Sequence, residues 1–180
     1  MKFNIPEEIL NIAEKLEKNN FQTYLVGGCV RDLLMGREPK DWDITTDAKP
    51  QEIQKIFPES VYENKFGTVA IKTGSENEKL KIVEITTFRI EGKYTDKRHP
   101  DEVKFAKTIE EDLARRDFTI NAIALALTNN KQLISKLVDP FNGQADIKNK
   151  IIRTVGNPID RFNEDALRLM RAIRFSVQLN

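Results

Sequence analysis

The stretch that most constrains this chain is Tyr24 to Thr46, YLVGGCVRDLLMGREPKDWDITT. It reads as a short apolar strand, a Gly-Gly turn, the first turns of a helix carrying Arg31, and an Asp-x-Asp on a second strand. Side chains alternate along a strand, so Asp41 and Asp43 point one way while Trp42 and Ile44 point the other. Two carboxylates about 4 Å apart repel by about 1 kcal/mol in water and about 4 kcal/mol at an effective dielectric of about 20. A hard divalent cation removes that cost. Beside the pair, Gly27-Gly28 offers backbone N–H groups at a helix start, where phosphate oxygens bind, and Arg31 one turn later adds a guanidinium fork. The stretch looks like half of a magnesium-triphosphate site, while a tight turn next to a surface acid pair is the structural alternative.

Glu84 bears on that choice. In the strand Leu80 to Phe88 it shares a face with Thr86, opposite Val83, Ile85 and Thr87, and an acid inside an apolar strand needs a reason. If its strand neighbours that of Asp43, a third carboxylate reaches the same face, the arrangement that favours two divalent ions and phosphoryl or nucleotidyl transfer. No Gly-x-x-x-x-Gly-Lys-Ser/Thr occurs, which argues against a P-loop enzyme.

Around this stretch the periodicity predicts a helix from Pro6 with Ile9, Ile12, Ala13 and Leu16 inward, and a short helix through Ile53, Ile56 and Phe57. Strands are expected at Val61–Glu63 and Thr68–Lys72, and a pair within Ala122–Val138 around a turn at Thr128–Lys131. Ile90 to Pro100, IEGKYTDKRHP, lacks an apolar period and reads as an exposed loop. Glu110 to Asp117 is helical in character, and its Arg115-Arg116-Asp117 fits either a solvated helix end or a ribose and phosphate contact. Asp139-Pro140-Phe141-Asn142-Gly143 is a breaker cluster, predicting a boundary between a domain at 1–141 and a helical segment at 142–180. In that segment NEDALRLMRAIRF has Leu167, Leu169, Met170, Ile173 and Val177 on one arc, which is expected to pack, and Phe175 as an exception on the polar side. Glu164 and Arg168 form an i, i+4 ion pair; alternatively, an Asp165–Arg168 pair presents acceptors beside donors, complementing the edge shared by cytosine and adenine.

Composition narrows the classes. At 180 residues, 39 % hydrophobic and 32 % charged, the chain is an ordinary globular one with room for a full core. From Lys148 onward seven Lys or Arg face three acids, an excess of four that suits phosphates. A single cysteine, Cys29, excludes an intrachain disulfide and favours a reducing cytoplasm. The charged N-terminus lacks a signal-peptide core, and the longest apolar run, Ala122 to Leu127, is too short to span a bilayer, so no membrane role is expected. No obligate protein partner is evident.

Together LVGGCVRDLLMG, DWDI, VEITTFRIEGKYTDKRHPDEVKF, RRDFTINAIAL, VDPFNG and IIRTVGNPIDRFNEDALRLMRAIRF form a pattern that resembles the bacterial-class tRNA nucleotidyltransferase/poly(A) polymerase family, its CCA-adding branch above all. The likeness runs from about residue 21 to 178. It implies an α+β fold: a polymerase beta-like nucleotidyltransferase head with a mixed, largely antiparallel sheet flanked by helices, then the start of an all-α neck. The implied activity is template-independent addition of CMP and AMP from CTP and ATP to the 3′ end of tRNA, with release of pyrophosphate; A-adding or poly(A) polymerase activity is the alternative, and a non-catalytic nucleotide- or RNA-binding module a second. The resemblance implies that Asp41 and Asp43 hold Mg²⁺ with Glu84 in support, that Gly28 and Arg31 contact the triphosphate, and that Arg116 holds the nucleotide. It further implies that Asp165 and Arg168 read the base edge, with Arg171 and Arg174 completing the pocket. The loop at Ile90–Pro100, with Asp96 and Arg98, corresponds to the family's element for switching from CTP to ATP and disfavours a CC-only enzyme. Trp42 departs from the small or branched residue expected between the aspartates, and tRNA gripping is expected mostly from domains that this chain lacks.

Overall fold

The computed structural model describes residues 3–64, 67–127 and 136–179. The elements follow in order as α1 (Glu7–Lys18), β1 (Thr23–Val26), α2 (Gly28–Leu34), β2 (Asp43–Thr46), α3 (Pro50–Ile56), β3 (Val61–Asn64), β4 (Thr68–Lys72), β5 (Ile82–Thr87), β6 (Arg89–Glu91), β7 (Val103–Phe105), α4 (Ile109–Ala114), β8 (Ala124–Ala126), β9 (Leu137–Val138), α5 (Gly143–Asn149), α6 (Pro158–Glu164) and α7 (Leu167–Gln178). A 3-10 turn, Thr119–Asn121, sits between α4 and β8. Among the described residues the main sheet runs β3-β4-β5-β2-β1-β8-β9, and β6 and β7 form a separate hairpin. Among the described strands only the β2–β5 pair is parallel. A parallel pair needs a crossover, which α3 and the β3–β4 hairpin supply. The fold is α+β, with a mixed and mostly antiparallel sheet, as the family resemblance implies.

Alternation divides the sheet into two apolar faces. Leu25, Ile44, Val83 and Ile85 pack with Ile9, Ile12 and Leu16 of α1 and Ile53 of α3. Trp42 joins this core, so the unusual residue between the aspartates packs inward as its alternation requires. On the other face Val26, Phe88 and Ala124 meet Ile109 and Leu113 of α4. A third cluster gathers Phe118, Ile120 and Phe175, with Phe162 and Leu179 against it.

Two expectations change, and a third falls outside the described residues. Ile90 and Glu91 belong to β6, paired with Val103 and Lys104, so the exposed loop begins at Gly92. The hairpin turn expected at Thr128–Lys131 lies outside the described residues. The second change concerns the final helix, which is two helices broken at Asp165, whose backbone is extended. The arc expected to pack is exposed, Leu167 by 42 %, Ile173 by 61 % and Val177 by 76 %, whereas Phe175 is 4 % and Arg168 6 % exposed. The reason lies in the surface that α7 meets. Asp117, Tyr94 and the guanidinium of Arg31 line it, so the matching stripe is Arg168, Arg171 and Phe175 at i, i+3, i+7.

A buried charge cluster ties β6 to α4. Asp112 is wholly buried. Its Oδ1 accepts from Arg115 Nε at 3.0 Å and from the Arg89 backbone N–H at 3.2 Å, and its Oδ2 accepts from Arg116 Nη2 at 3.0 Å. Arg115 Nη1 also donates to Glu91 Oε1 at 2.8 Å, and the Tyr94 hydroxyl donates to the same carboxylate. Burial alone would raise the Asp112 carboxyl, but the Arg115 and Arg116 guanidiniums outweigh it and hold it below the ordinary value.

Three substitutions test this packing. Ile173→Ser in this chain should change stability by less than about 0.5 kcal/mol, whereas Phe175→Ala should cost about 3–5 kcal/mol, both read from urea midpoints. Asp112→Asn should cost about 3–5 kcal/mol at neutral pH, because two guanidiniums lose their buried partner. A carboxyl lowered in the folded state contributes fully above its unfolded pKa of about 3.9 and loses that contribution as pH falls through the folded value. The difference between native and Asp112→Asn chains should therefore shrink on acidification below about pH 4.

Candidate functional site

The site begins where β1 ends. Gly27 takes a left-handed φ of +76°, turning the chain from Val26 straight into α2. A Cβ at this position would lie 3.1 Å from Arg116 Nη1 and 3.7 Å from Asp43 Oδ2, so the turn, the RRD arginine and the second aspartate converge. The strand starts at Asp43 itself, yet alternation extends one step back: Asp41 and Asp43 are exposed while Trp42 and Ile44 are buried. Cys29 lies beneath, its thiol donating to the Val26 carbonyl at 3.1 Å. Burial, with Asp43 adding to it, pushes that thiol up to about 12, so it stays protonated.

The β2–β5 register sets Glu84 directly opposite Asp43, so both side chains leave the sheet on one face. This meets the condition that the sequence left open. Among the described residues, however, no three His, Cys, Asp or Glu side chains are gathered closely enough to hold a metal ion, so Glu84 stands beside the aspartate pair and not in a cage with it. The protein packed round Asp43 raises its carboxyl above the ordinary value, Arg116 opposing and Asp41 adding to the rise. Hard oxygen donors that repel each other fit a divalent cation such as magnesium, which takes one or two carboxylates and completes its shell from water and phosphate.

Arg115 and Arg116 are not a solvated helix end; both fold back on Asp112. Arg116 reaches Gly27 with one nitrogen while its Nε is buried with no hydrogen-bond partner among the described residues. Arg31, also buried, donates from Nη1 to Asn121 Oδ1 at 2.8 Å and from Nε to Asp32 Oδ1 at 2.9 Å, and one of its nitrogens lies 3.7 Å from where a Gly28 Cβ would stand. From the other side of the chain, Arg171 donates to Asp117 Oδ2 at 2.6 Å, and Arg171 and Arg174 both lie against the Phe175 ring.

Asp165 and Arg168 are adjacent but occupied. Asp165 Oδ1 accepts from the Leu167 backbone N–H at 2.9 Å, and Arg168 Nη1 donates to Glu164 Oε2 at 2.6 Å and to the Arg161 carbonyl at 3.1 Å. The Tyr94 ring covers the Arg168 guanidinium at 5.7 Å, and the Ala166 backbone N–H donates to the Lys97 carbonyl, so the loop after β6 leans on this helix start. Sequence reasoning missed Asp112, Asn121, Tyr94 and the inward role of Phe175. Asp112 had a signal in its i+3 and i+4 arginines; Asn121 and Tyr94 also have local partners in Asp117 and Glu91, but their contacts with Arg31 and Arg168 cross long separations.

Among the described residues no helix is long and apolar enough to cross a membrane. A family model described as the poly(A) polymerase head domain matches residues 23–153. The chain is 49 % identical over 169 residues to the CCA-adding enzyme of Lactobacillus helveticus, covering 93 % of this chain and 40 % of that protein. It is 46 % identical over 180 residues to the CCA-adding enzyme of Lactococcus lactis, covering 98 % and 43 %. The chain thus spans about 40 % of the length of these relatives. Among solved structures it is similar to the Bacillus stearothermophilus CCA-adding enzyme in complex with CTP, with TM-score 0.78 and 42 % identity over 94 % of this chain and 38 % of that one. It is also similar to a tRNA nucleotidyltransferase complexed with a primer tRNA and an incoming ATP analog, with TM-score 0.69 and 32 % identity over 94 % and 45 %. With the head-domain match running from β1 to beyond α5, through the glycine turn, both aspartates, Glu84 and the RRD motif, this chain belongs to the poly(A) polymerase head-domain family.

Proposed function

We propose that this chain is the catalytic head and first neck helices of a CCA-adding tRNA nucleotidyltransferase, which transfers CMP and AMP from CTP and ATP to the 3′ end of tRNA. The observation that carries the reading is the convergence of Gly27, Asp43 and Arg116 at one point, with Glu84 in register beside it. Nucleotidyl transfer needs a turn open to phosphate, carboxylates for cations and a guanidinium for the nucleotide, and these supply it. The similarity to CCA-adding enzymes across nearly the whole chain supports the same substrate class. The head corresponds to residues 1–141 and the neck to 142–180, and a cytoplasmic setting suits tRNA as substrate.

In this reading Asp41 and Asp43 hold Mg²⁺, with Glu84 shaping the carboxylate face they share. A divalent cation held by these carboxylates would supply charge neutralisation at the α-phosphate and polarisation of the attacking 3′-hydroxyl, the chemistry of two-metal sites. The Gly27-Gly28 turn leaves room for the triphosphate, Arg31 and Arg116 bind it, and Arg171 and Arg174 flank the nucleoside. Asp165 keeps one carboxylate oxygen beyond its cap to Leu167, and Arg168 must come out from under Tyr94 before the two can read the amine and ring nitrogen of cytosine or adenine. Grip on the tRNA body falls to the length that the relatives have and these residues do not cover.

Calorimetry on the chain should show CTP and ATP binding that tightens with Mg²⁺, and Asp41→Ala should abolish the tightening; binding that ignores both the cation and the aspartate would leave a non-catalytic module. Joined to the remaining length of a CCA-adding relative, the chain should extend tRNA lacking CCA when given labelled CTP and ATP, and use of ATP alone would mark an A-adding enzyme. Gly27→Ala should lower transfer about a hundredfold or more, since a methyl group at a positive φ strains the turn and presses on the Arg116 guanidinium.

A further inference from the structure

Phe175 is the residue that the helical pattern could not accommodate, and it proves to be where three arginines meet. Arg31 lies 5.3 Å from its ring centroid, Arg171 5.3 Å and Arg174 5.1 Å. Phe118 meets the same ring edge-on, 5.8 Å between centroids and 89° between planes, leaving the side chain 4 % exposed. Polar bonds close a circuit around this contact. Arg31 donates to Asn121, Asn121 Nδ2 donates to Asp117 Oδ1 at 3.3 Å, and Asp117 Oδ2 accepts from Arg171 at 2.6 Å. Arg31 stands in α2 and the other two arginines in α7, so one ring couples cations from opposite ends of the chain.

Three guanidiniums in one place repel, and what holds them must supply negative potential from several sides. The ring faces do so through their quadrupole, and Asp117 does so with its charge. A leucine would fill much of the volume but offer neither face. We propose that Phe175 is a positioning residue: it fixes the arginine at the triphosphate end of the nucleotide site relative to the two at the nucleoside end, so that both ends of one NTP are held at a set separation. This rests on the nucleotide-site reading above. Phe175 touches no substrate in this role; it acts through Arg31, Arg171 and Arg174.

The test uses CTP and inorganic tripolyphosphate as separate probes, each with Mg²⁺, on native, Phe175→Leu, Phe175→Tyr and Asp117→Asn chains. Phe175→Leu should weaken CTP about tenfold while tripolyphosphate weakens less, because Arg31 keeps Asn121 and Asp32. Phe175→Tyr, which retains the ring, should stay within about twofold of native, and Asp117→Asn should weaken CTP in the same sense as Phe175→Leu. In the nucleotide-free chain, the Nε–H resonances of Arg31, Arg171 and Arg174 should carry ring-current shifts that vanish in Phe175→Leu and persist in Phe175→Tyr. Should Phe175→Leu fail to fold, the tyrosine and Asp117 variants carry the same comparison. Equal loss of both probes, or CTP affinity unchanged once the ring-current shifts are gone, would overturn the positioning role while leaving the site reading intact. A native chain that binds neither probe brings down the site reading, and the positioning role with it.

Discussion

The Asp112 carboxylate is the contact on which the rest of the site depends. Wholly buried, it accepts from Arg115, Arg116 and the Arg89 backbone, and it is tolerable there only because it is so well supplied with donors. Its consequences run in two directions. Through Arg116 it brings a guanidinium up against Gly27 and Asp43. Through Arg115 and Glu91 it anchors β6, and with it the loop whose Tyr94 covers Arg168. One buried charge thus orients both the guanidinium at the glycine turn and the tyrosine ring over Arg168.

The second organising feature is the parallel pairing of β2 with β5. Were β5 shifted by one residue, Glu84 would face the core and Val83 or Ile85 would face the aspartates. The apolar set on β5 forbids that slip, since Val83 and Ile85 are buried with Ile44 in the core against α1 and α3. Packing on one face of the sheet therefore fixes the chemistry on the other.

What could be read beforehand was what depends on local period. The alternation through Asp41-Trp42-Asp43-Ile44 is a property of any strand, and Trp42 packs inward as that alternation demands. The Gly-Gly turn and α1 are legible from equally local patterns, whereas the order of the strands in the sheet is set by long-range pairing. The face of α7 was not. A helical wheel ranks residues by hydrophobicity, but the surface waiting for α7 is made of Asp117, Tyr94 and the Arg31 guanidinium, groups drawn from remote parts of the chain. Against such a surface an Arg, Arg and Phe stripe packs better than leucines, and the leucine-rich arc is left outside. Asp165 and Arg168 are neighbours, as their spacing requires, yet each already has partners that only the folded loop and helix break provide.

Asp41 and Asp43 are proposed as the cation end of a nucleoside triphosphate site closed by Arg116. Diffraction from crystals of the chain grown with CTP and Mn²⁺, read by the anomalous signal of the manganese, tests it most directly. A manganese peak held by the Asp41 and Asp43 carboxylates is expected, with the triphosphate over Gly27-Gly28 and within reach of Arg116. Triphosphate bound elsewhere, or manganese on other acids such as Asp96 and Asp101 with Asp41 and Asp43 bare, would contradict it.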